Sequence, residues 1–171
     1  HQQVFEAIEP LYGKREAGSI AAAYLIDRWH IDRIKLSMNM EFAVDEQLLK
    51  SDIRKLAQGM PLQHVVGFQE FHGHRLQTNH HALIPRPETE ELVEWIIESV
   101  FDSNSASILK LLDIGTGTGC IPISVDLAFD HVECIGADIS KEALKLADTN
   151  AKRLGSGAHF QVLDVLTQDL E

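Results

Sequence analysis

The sequence has few cysteines, no long apolar run and no excess of positive charge. Its two cysteines, Cys120 and Cys134, lie far apart in apolar surroundings and form no C-x-x-C pair, so we expect two buried, reduced thiols. No stretch approaches the roughly 18 consecutive apolar residues of a membrane span, and no charged-then-apolar leader opens the chain. We therefore expect no membrane partner.

The net charge of −11 is concentrated after residue 75. Residues 1–75 hold 9 basic and 10 acidic side chains, whereas residues 76–171 hold 6 basic and 16 acidic ones. Neither part has the basic surface that binding along a nucleic-acid backbone requires. We therefore expect no direct nucleic-acid partner.

The first 60 residues have the pattern of a helical domain. Ser19 precedes an apolar-rich run at 20–29 and is a suitable N-cap for a helix there. A later stretch has apolar residues at helical spacing, namely Val44, Leu48, Leu49, Ile53 and Leu56. Gly59 followed by Pro61 ends that helix, because glycine adopts the left-handed C-cap and proline does not continue a helix. We predict a helical domain over residues 1–60.

The rest of the chain predicts a hairpin and then an α/β domain. Residues 61–85 mix apolar and polar residues around glycines, which indicates a β-hairpin connector that turns near Gly73. Pro87 fits the first position of a helix, where its missing N–H costs nothing. Helical stretches then alternate with short apolar strands at 108–114, 132–138 and 159–163. This alternation predicts an α/β fold with a parallel sheet covered on both faces, the first half of a Rossmann-like domain over residues 86–171.

A glycine-rich turn follows the first predicted strand. Gly115, Gly117 and Gly119 alternate with threonines, two residues after Asp113. Glycines let a strand turn sharply into a helix and let a ligand approach the backbone. A dinucleotide fingerprint has its third glycine one residue later, at Cys120 here. The spacing instead resembles the first motif of Rossmann-like S-adenosylmethionine methyltransferases, whose ligand has no phosphate and whose cationic groups favour a nearby acid.

Acidic residues close the next two strands. Asp138 ends the second strand, 19 residues after Gly119, where a carboxylate accepts hydrogen bonds from both ribose hydroxyls. Asp164 and Val165 end the third, and the resemblance implies that they hold the adenine amine and ring. The predicted cofactor is S-adenosylmethionine, and its predicted binding residues are Asp113, Gly115, Thr116, Gly117, Thr118, Gly119, Asp138, Asp164 and Val165.

The residues ahead of the glycine motif resemble those of one family. They are the segment LIPRPETE at 83–90, the segment GMPLQH at 59–64, Gly67, and FHG at 71–73. Together with the helical domain, they are similar to the N-terminal part of the HemK-type release factor glutamine methyltransferases. The resemblance implies a cytoplasmic enzyme whose helical domain recognises peptide-chain release factors. It also implies methylation of the side-chain amide of the Gln in their Gly-Gly-Gln motif.

The acceptor motif of that family, Asn-Pro-Pro-Tyr, does not occur in these 171 residues. We therefore predict no catalytic residue here, and we expect a truncated methyltransferase that shows no turnover on its own. The sequence does not decide the methyl acceptor, which is a glutamine amide of a release factor, an adenine amine of a nucleic acid or a group of another protein. Arg86 is a candidate for contact with the substrate or with the cofactor's carboxylate, or else a surface residue that orients the connector.

Two other function classes compete with a methyltransferase. One is a NAD-dependent oxidoreductase, which would bind NAD rather than S-adenosylhomocysteine. The other is a non-catalytic docking module, whose partner binding would survive the substitution Asp138→Ala. His72 and His74 alternate on a possible strand, but nothing in their spacing defines a metal site and we predict none. Asn150 fits packing or a helix surface better than catalysis.

Overall fold

The computed structural model describes residues 1–38, 40, 42–102 and 108–167, and the chain divides into two compact units, His1–Val66 and Gly67–Glu171. The first unit is helical. Its helices are α1 (Gln2–Trp29), α2 (Arg33–Ser37), α3 (Glu46–Ala57) and α4 (Leu62–Val66). No helix among the described residues is both long enough and apolar enough to span a bilayer.

Helix α1 is longer than the run predicted at 20–29. It is interrupted at Gly13, where φ is 74° and ψ is 165°. Ser19 is not an N-cap, as predicted, but lies inside the helix and donates from Oγ to the Arg15 carbonyl. The prediction was wrong because the buried Ala17, two residues before Ser19, continues the apolar side of this helical segment upstream of residue 20.

A buried carboxylate links α1 to α3. Asp45 is the N-cap of α3 and accepts hydrogen bonds from N–H groups in the first turn of that helix. Asp52 is fully buried and accepts from Tyr24 Oη at 3.2 Å and from Arg28 Nε at 3.0 Å. Burial is the main cause that raises the pKa of Tyr24 to about 12. The half-buried Trp29 ends α1 beside this cluster.

The second unit begins with an antiparallel hairpin of β1 (Phe68–Phe71) and β2 (His74–Gln77). Its two turn residues, His72 and Gly73, both have positive φ, at 47° and 75°, as a tight two-residue hairpin turn requires. The turn near Gly73 is therefore confirmed. The first part of the predicted connector is instead the helix α4, because its Val65 and Val66 are buried in the helical unit.

The remaining elements form the predicted parallel sheet and its helices, but among the described residues the predicted cover on both faces is not present, because Leu112 and Ile114 on alternate positions of the first parallel strand are 44% and 47% exposed. These elements are α5 (Pro87–Asp102), β3 (Leu109–Ile114), α6 (Cys120–Ala128), β4 (Val132–Asp138), α7 (Lys141–Leu154) and β5 (His159–Val162). The three strands are parallel in the order β3-β4-β5, so the α/β, Rossmann-like fold class is confirmed. Ser140 caps α7 by accepting from Ala143 N–H at 3.1 Å, and Gly155 ends it in the left-handed conformation.

The core of the second unit lies between the sheet and its helices. It includes Phe71, Leu76, Val93, Ile123, Val125, Cys134 and Ala151. Both cysteines are free and buried, as expected, and burial raises the pKa of Cys120 to about 11. On the outer side of α5, Trp95 is 73% exposed.

Candidate cofactor-binding site

The carboxyl ends of the three parallel strands meet at one edge of the sheet, the usual ligand site of such folds. The loop after β3 is tied to β4, because Gly115 N–H donates to the Ala137 carbonyl at 2.8 Å. Leu163 N–H donates to the Asp138 carbonyl at 3.0 Å and carries the chain alongside β4 past the end of β5. The edge thus brings together the glycine loop, Asp138 and Asp164.

The three glycines of the loop have positive φ but different surroundings. The values are 81°, 55° and 78° at Gly115, Gly117 and Gly119. A Cβ at Gly115 would meet no atom within 4 Å, and one at Gly117 would make only an ordinary contact of 3.8 Å with Ala82. A Cβ at Gly119 would lie 3.0 Å from the side chains of Ala147, Ile123 and Phe160. The first two glycines therefore border open space for a ligand, whereas Gly119 is required by internal packing.

The carboxylate of Asp138 is held by backbone groups on two sides. Oδ2 accepts from Gly117 N–H at 3.0 Å, and Oδ1 accepts from Ser140 N–H at 2.9 Å. An ionised carboxylate has about four acceptor sites, so two remain for a ligand. This geometry allows Asp138 to fix the loop and to accept hydrogen bonds from a ribose diol.

Asp113 is the second carboxyl group of the site, one residue before the end of β3. Burial raises the pKa of Asp113, and the negative charge of Asp138 raises it further. Two neighbouring carboxyl groups favour a ligand cation and disfavour a phosphate. The site is therefore suited to a ligand that carries a sulfonium or ammonium group.

The turn after β5 presents Asp164 and Val165. Asp164 is half-buried, and its Oδ1 accepts from Leu166 N–H at 3.1 Å. Its carbonyl accepts from Thr167 N–H at 3.1 Å, which closes the turn. Val165 is 42% exposed, so its apolar surface is accessible to a ring at the edge of the sheet.

The two threonines of the loop are buried, at 4% exposure for Thr116 and 2% for Thr118. The Thr118 carbonyl accepts a hydrogen bond from Asn150 Nδ2 at 3.1 Å. Asn150 is fully buried on α7, a contact that sequence reasoning missed, although packing was the role expected of it. The available signal was its spacing, because position 150 follows Ala143 and Ala147 along one side of the helix.

Among the described residues, Arg86 does not share in the hydrogen bonds of this edge. Its side chain is exposed, and its carbonyl accepts from Thr89 N–H at 3.0 Å at the start of α5. His72 Nε2 lies 2.8 Å from Glu94 Oε1 and links the hairpin turn to α5. In the part of the chain that the structure describes, no three His, Cys, Asp or Glu side chains are grouped to hold a metal ion.

The donors and acceptors of this edge fit S-adenosylmethionine. Open space above Gly115 accommodates a ligand against the backbone, and Asp138 keeps acceptor capacity for sugar hydroxyls. The acidic character of this edge is compatible with the cationic groups of that cofactor.

Comparison with protein families gives a match over the same part of the chain. The family model described as a methyltransferase domain matches residues 105–171. That range contains the glycine loop and the ends of all three parallel strands.

Curated relatives resemble a larger part of the chain. The release factor glutamine methyltransferase of Enterococcus faecalis is 44% identical over 116 residues, which are 68% of this chain and 40% of that protein. The one from Flavobacterium psychrophilum is 36% identical over 152 residues, 87% of this chain and 53% of that protein. The chain thus spans about half the length of the curated relatives it matches.

Solved structures align less closely. The crystal structure of a Pyrococcus abyssi tRNA (uracil-54, C5)-methyltransferase in complex with S-adenosyl-L-homocysteine aligns with a TM-score of 0.45 and 13% identity. The alignment covers 61% of this chain and 25% of that one.

Proposed function

Because the chain belongs, over the part that it spans, to the release factor glutamine methyltransferases, we propose that it carries the cofactor site of an enzyme that methylates the Gln side chain in the Gly-Gly-Gln motif of peptide-chain release factors. The observation that carries the proposal is the Asp138 carboxylate, fixed on Gly117 N–H beside an open glycine loop. Membership of the family likewise supports release factors as partners and the cytoplasm as location.

S-adenosylmethionine is the cofactor of this methyltransferase domain, and each residue of the edge has a proposed part in binding it. Asp138 accepts hydrogen bonds from the ribose hydroxyls. Asp164 accepts one from the adenine amine, and Val165 packs against the ring. Asp113 lies near the cationic groups, while the backbone of residues 115–119 forms the floor of the site.

The cofactor supplies an electrophilic methyl group on its sulfonium sulfur. This chain's residues fix the position of that methyl by holding the sugar and base at the sheet edge, which removes rotational freedom before the acceptor arrives. The acceptor amide is a weak nucleophile because its nitrogen shares electrons with the carbonyl, so it needs hydrogen-bond acceptors to align it. Asn-Pro-Pro-Tyr, the motif with that task in the family, is absent from these 171 residues, and no residue here receives a catalytic role.

The helical unit, His1–Val66, is proposed to recognise the release factor, and the exposed Arg86 to contact the substrate. Neither role involves the cofactor. Substitutions of Arg86 are therefore expected to raise KM for the release factor and to leave cofactor affinity unchanged.

Calorimetric titration tests the cofactor site. We expect S-adenosylhomocysteine to bind the chain, NAD not to bind it, and Asp138→Ala to abolish the binding. Binding of NAD alone would indicate an oxidoreductase instead. Absence of binding by either ligand would overturn the proposal at its first step.

Mass spectrometry tests the acceptor. The full-length protein, incubated with S-adenosylmethionine and a release factor, is expected to add one methyl group to the Gln of Gly-Gly-Gln and none to a Gly-Gly-Ala variant. Methyl transfer to adenine in DNA or RNA, with the release factor unmodified, would overturn the assignment of the acceptor. The 171-residue chain alone is expected to bind cofactor without turnover.

A further inference from the structure

The side-chain amide of Asn150 joins three backbone groups from two parts of the second unit. Its Oδ1 accepts from Gln77 N–H at 2.7 Å, and its Nδ2 donates to the Gln77 carbonyl at 3.2 Å. Nδ2 also donates to the Thr118 carbonyl at 3.1 Å. Asn150 is 0% exposed, so water does not substitute for these bonds.

The two bonds to Gln77 satisfy the same backbone groups that a neighbouring strand would bind. Gln77 lies opposite Phe68 in the hairpin, and Asn150 takes both its N–H and its carbonyl. One turn farther along α7, Arg153 donates to the Arg75 carbonyl, on the same edge of β2 because residues 75 and 77 alternate with Leu76. Helix α7 thus covers the outer edge of the hairpin with two side chains.

The third bond reaches the glycine loop. The peptide between Thr118 and Gly119 is held at both ends, since Gly119 N–H donates to the Thr116 carbonyl at 2.9 Å while the Thr118 carbonyl accepts from Asn150. Gly119 in this peptide and Gly117 just before it have the wide conformational freedom of glycine. Without the Asn150 donor, this peptide has lower resistance to rotation.

The segment after the hairpin approaches the same loop at a second point. Ala82 is the side chain nearest to the position of a Cβ on Gly117, at 3.8 Å. Residues 79–82 are folded back by a hydrogen bond from His81 N–H to Asn79 Oδ1 at 2.9 Å. The hairpin therefore continues directly into chain that borders the candidate cofactor site.

We propose that Asn150 is a positioning residue that couples the hairpin to the cofactor loop, so that the order of the hairpin sets the affinity for S-adenosylmethionine. The inference rests on the proposed function only in assigning that cofactor to the loop. Asn150 acts through the Thr118 peptide rather than by contact with the cofactor. Cofactor binding in turn reduces the mobility of the Gln77 backbone through the Asn150 side-chain amide, because coupling between two sites is reciprocal.

Two variants separate coupling from simple attachment of the hairpin. Asn150→Asp keeps an acceptor for Gln77 N–H but removes both donors, to Gln77 and to Thr118. Arg153→Ala removes the other bond between α7 and the hairpin and leaves the loop untouched. Both substitutions change the net charge by one negative unit, so Arg153→Ala is a matched control.

The measurement is the Kd of S-adenosylhomocysteine for the full-length protein, below the melting temperature of each variant. Asn150→Asp is expected to raise Kd roughly tenfold, because only part of the population keeps a competent loop, and Arg153→Ala by less than about twofold. Equal Kd values in all three proteins would overturn the inference. Absence of binding by the wild type would instead remove the proposed function.

Hydrogen exchange of the Gln77 amide can be measured in the wild type, so this test does not depend on whether the variants fold. In the wild type, S-adenosylhomocysteine is expected to slow this exchange by about tenfold. The effect should persist in Arg153→Ala and disappear in Asn150→Asp or Asn150→Ala. An exchange rate at Gln77 that ligand leaves unchanged in the wild type would contradict the coupling, even if the Asn150 variants did not fold.

Discussion

At the scale of single residues, the Asp138 carboxylate meets backbone N–H groups on two sides, from Gly117 and Ser140. In Asp138→Asn, the new NH₂ group would face one of these donors, and the negative charge would be lost. We expect S-adenosylhomocysteine to bind about 10- to 100-fold more weakly, because hydrogen bonds to a charged group contribute about 1.5–3 kcal/mol. Asp130→Asn, an exposed change at the turn before β4, is the control for calorimetry. Equal affinities for both variants would remove Asp138 from the site.

The half-buried carboxyl of Asp113 is expected to make stability depend on pH. Its pKa is raised in the folded protein above the ordinary value of 3.8, chiefly by burial. The folded state therefore holds this proton more tightly than the unfolded chain does. The stabilisation is fully present below pH 3.8 and is lost as pH rises through the raised pKa.

Asp113→Asn removes this titration. The free energy of unfolding of the wild type, relative to that of Asp113→Asn, is expected to fall as pH rises above 3.8. Urea unfolding of both proteins across that range measures the difference. Parallel curves would show that Asp113 does not titrate as its surroundings indicate.

Sequence patterns predicted the positions of the chemical groups better than their partners. Asp113, Asp138 and Asp164 were found from the ends of predicted strands, because parallel strands place their carboxyl ends at one edge. Asn150 was expected to pack but not to bind Gln77, 73 positions away. A pairing over that separation depends on the fold and leaves no local pattern in the sequence.

At the scale of elements, the glycine loop combines two steric requirements. Gly119→Ala would bring a Cβ within 3.0 Å of Ala147, Ile123 and Phe160 at a φ of 78°, which we expect to destabilise the protein by about 2–4 kcal/mol. Gly115→Ala meets open space, so its cost to stability is about 1–2 kcal/mol from backbone strain alone.

Gly119→Ala should therefore mainly lower stability, whereas Gly115→Ala should mainly lower ligand affinity. Thermal unfolding is expected to show the larger loss for Gly119→Ala. Gly115→Ala is expected to weaken the binding of S-adenosylhomocysteine more than its small loss of stability explains, since the new methyl group occupies the ligand's space. A Gly115→Ala protein with normal affinity would place the ligand elsewhere.

The regular elements of the α/β part followed from periodicity. Strand β4 has its predicted bounds, 132–138, because a largely apolar run ends there at Asp138. Helix α7 follows directly, with Ser140 as its N-cap. The helical part was predicted less well. Ser19 has the chemistry of a cap, but the buried Ala17 before it shows that packing extends the helix through that position.

At the scale of the whole chain, the acidic excess lies in the same part as the cofactor site. S-adenosylmethionine carries a positive sulfonium that S-adenosylhomocysteine lacks. Added salt screens the attraction between this charge and the carboxyl groups of the site. We expect the ratio of the two affinities to shift toward S-adenosylhomocysteine by about twofold between low and physiological ionic strength. A ratio independent of salt would indicate that Asp113 and Asp138 lie far from the sulfonium.

The two tryptophans lie in different compact units, Trp29 half-buried at the end of α1 and Trp95 exposed on α5. Each unit consequently carries its own intrinsic fluorophore. Removing one indole by Trp→Phe leaves an emission signal that reports on a single unit, without any added label. Because the units have separate reporters, their denaturation can be followed independently within one intact polypeptide.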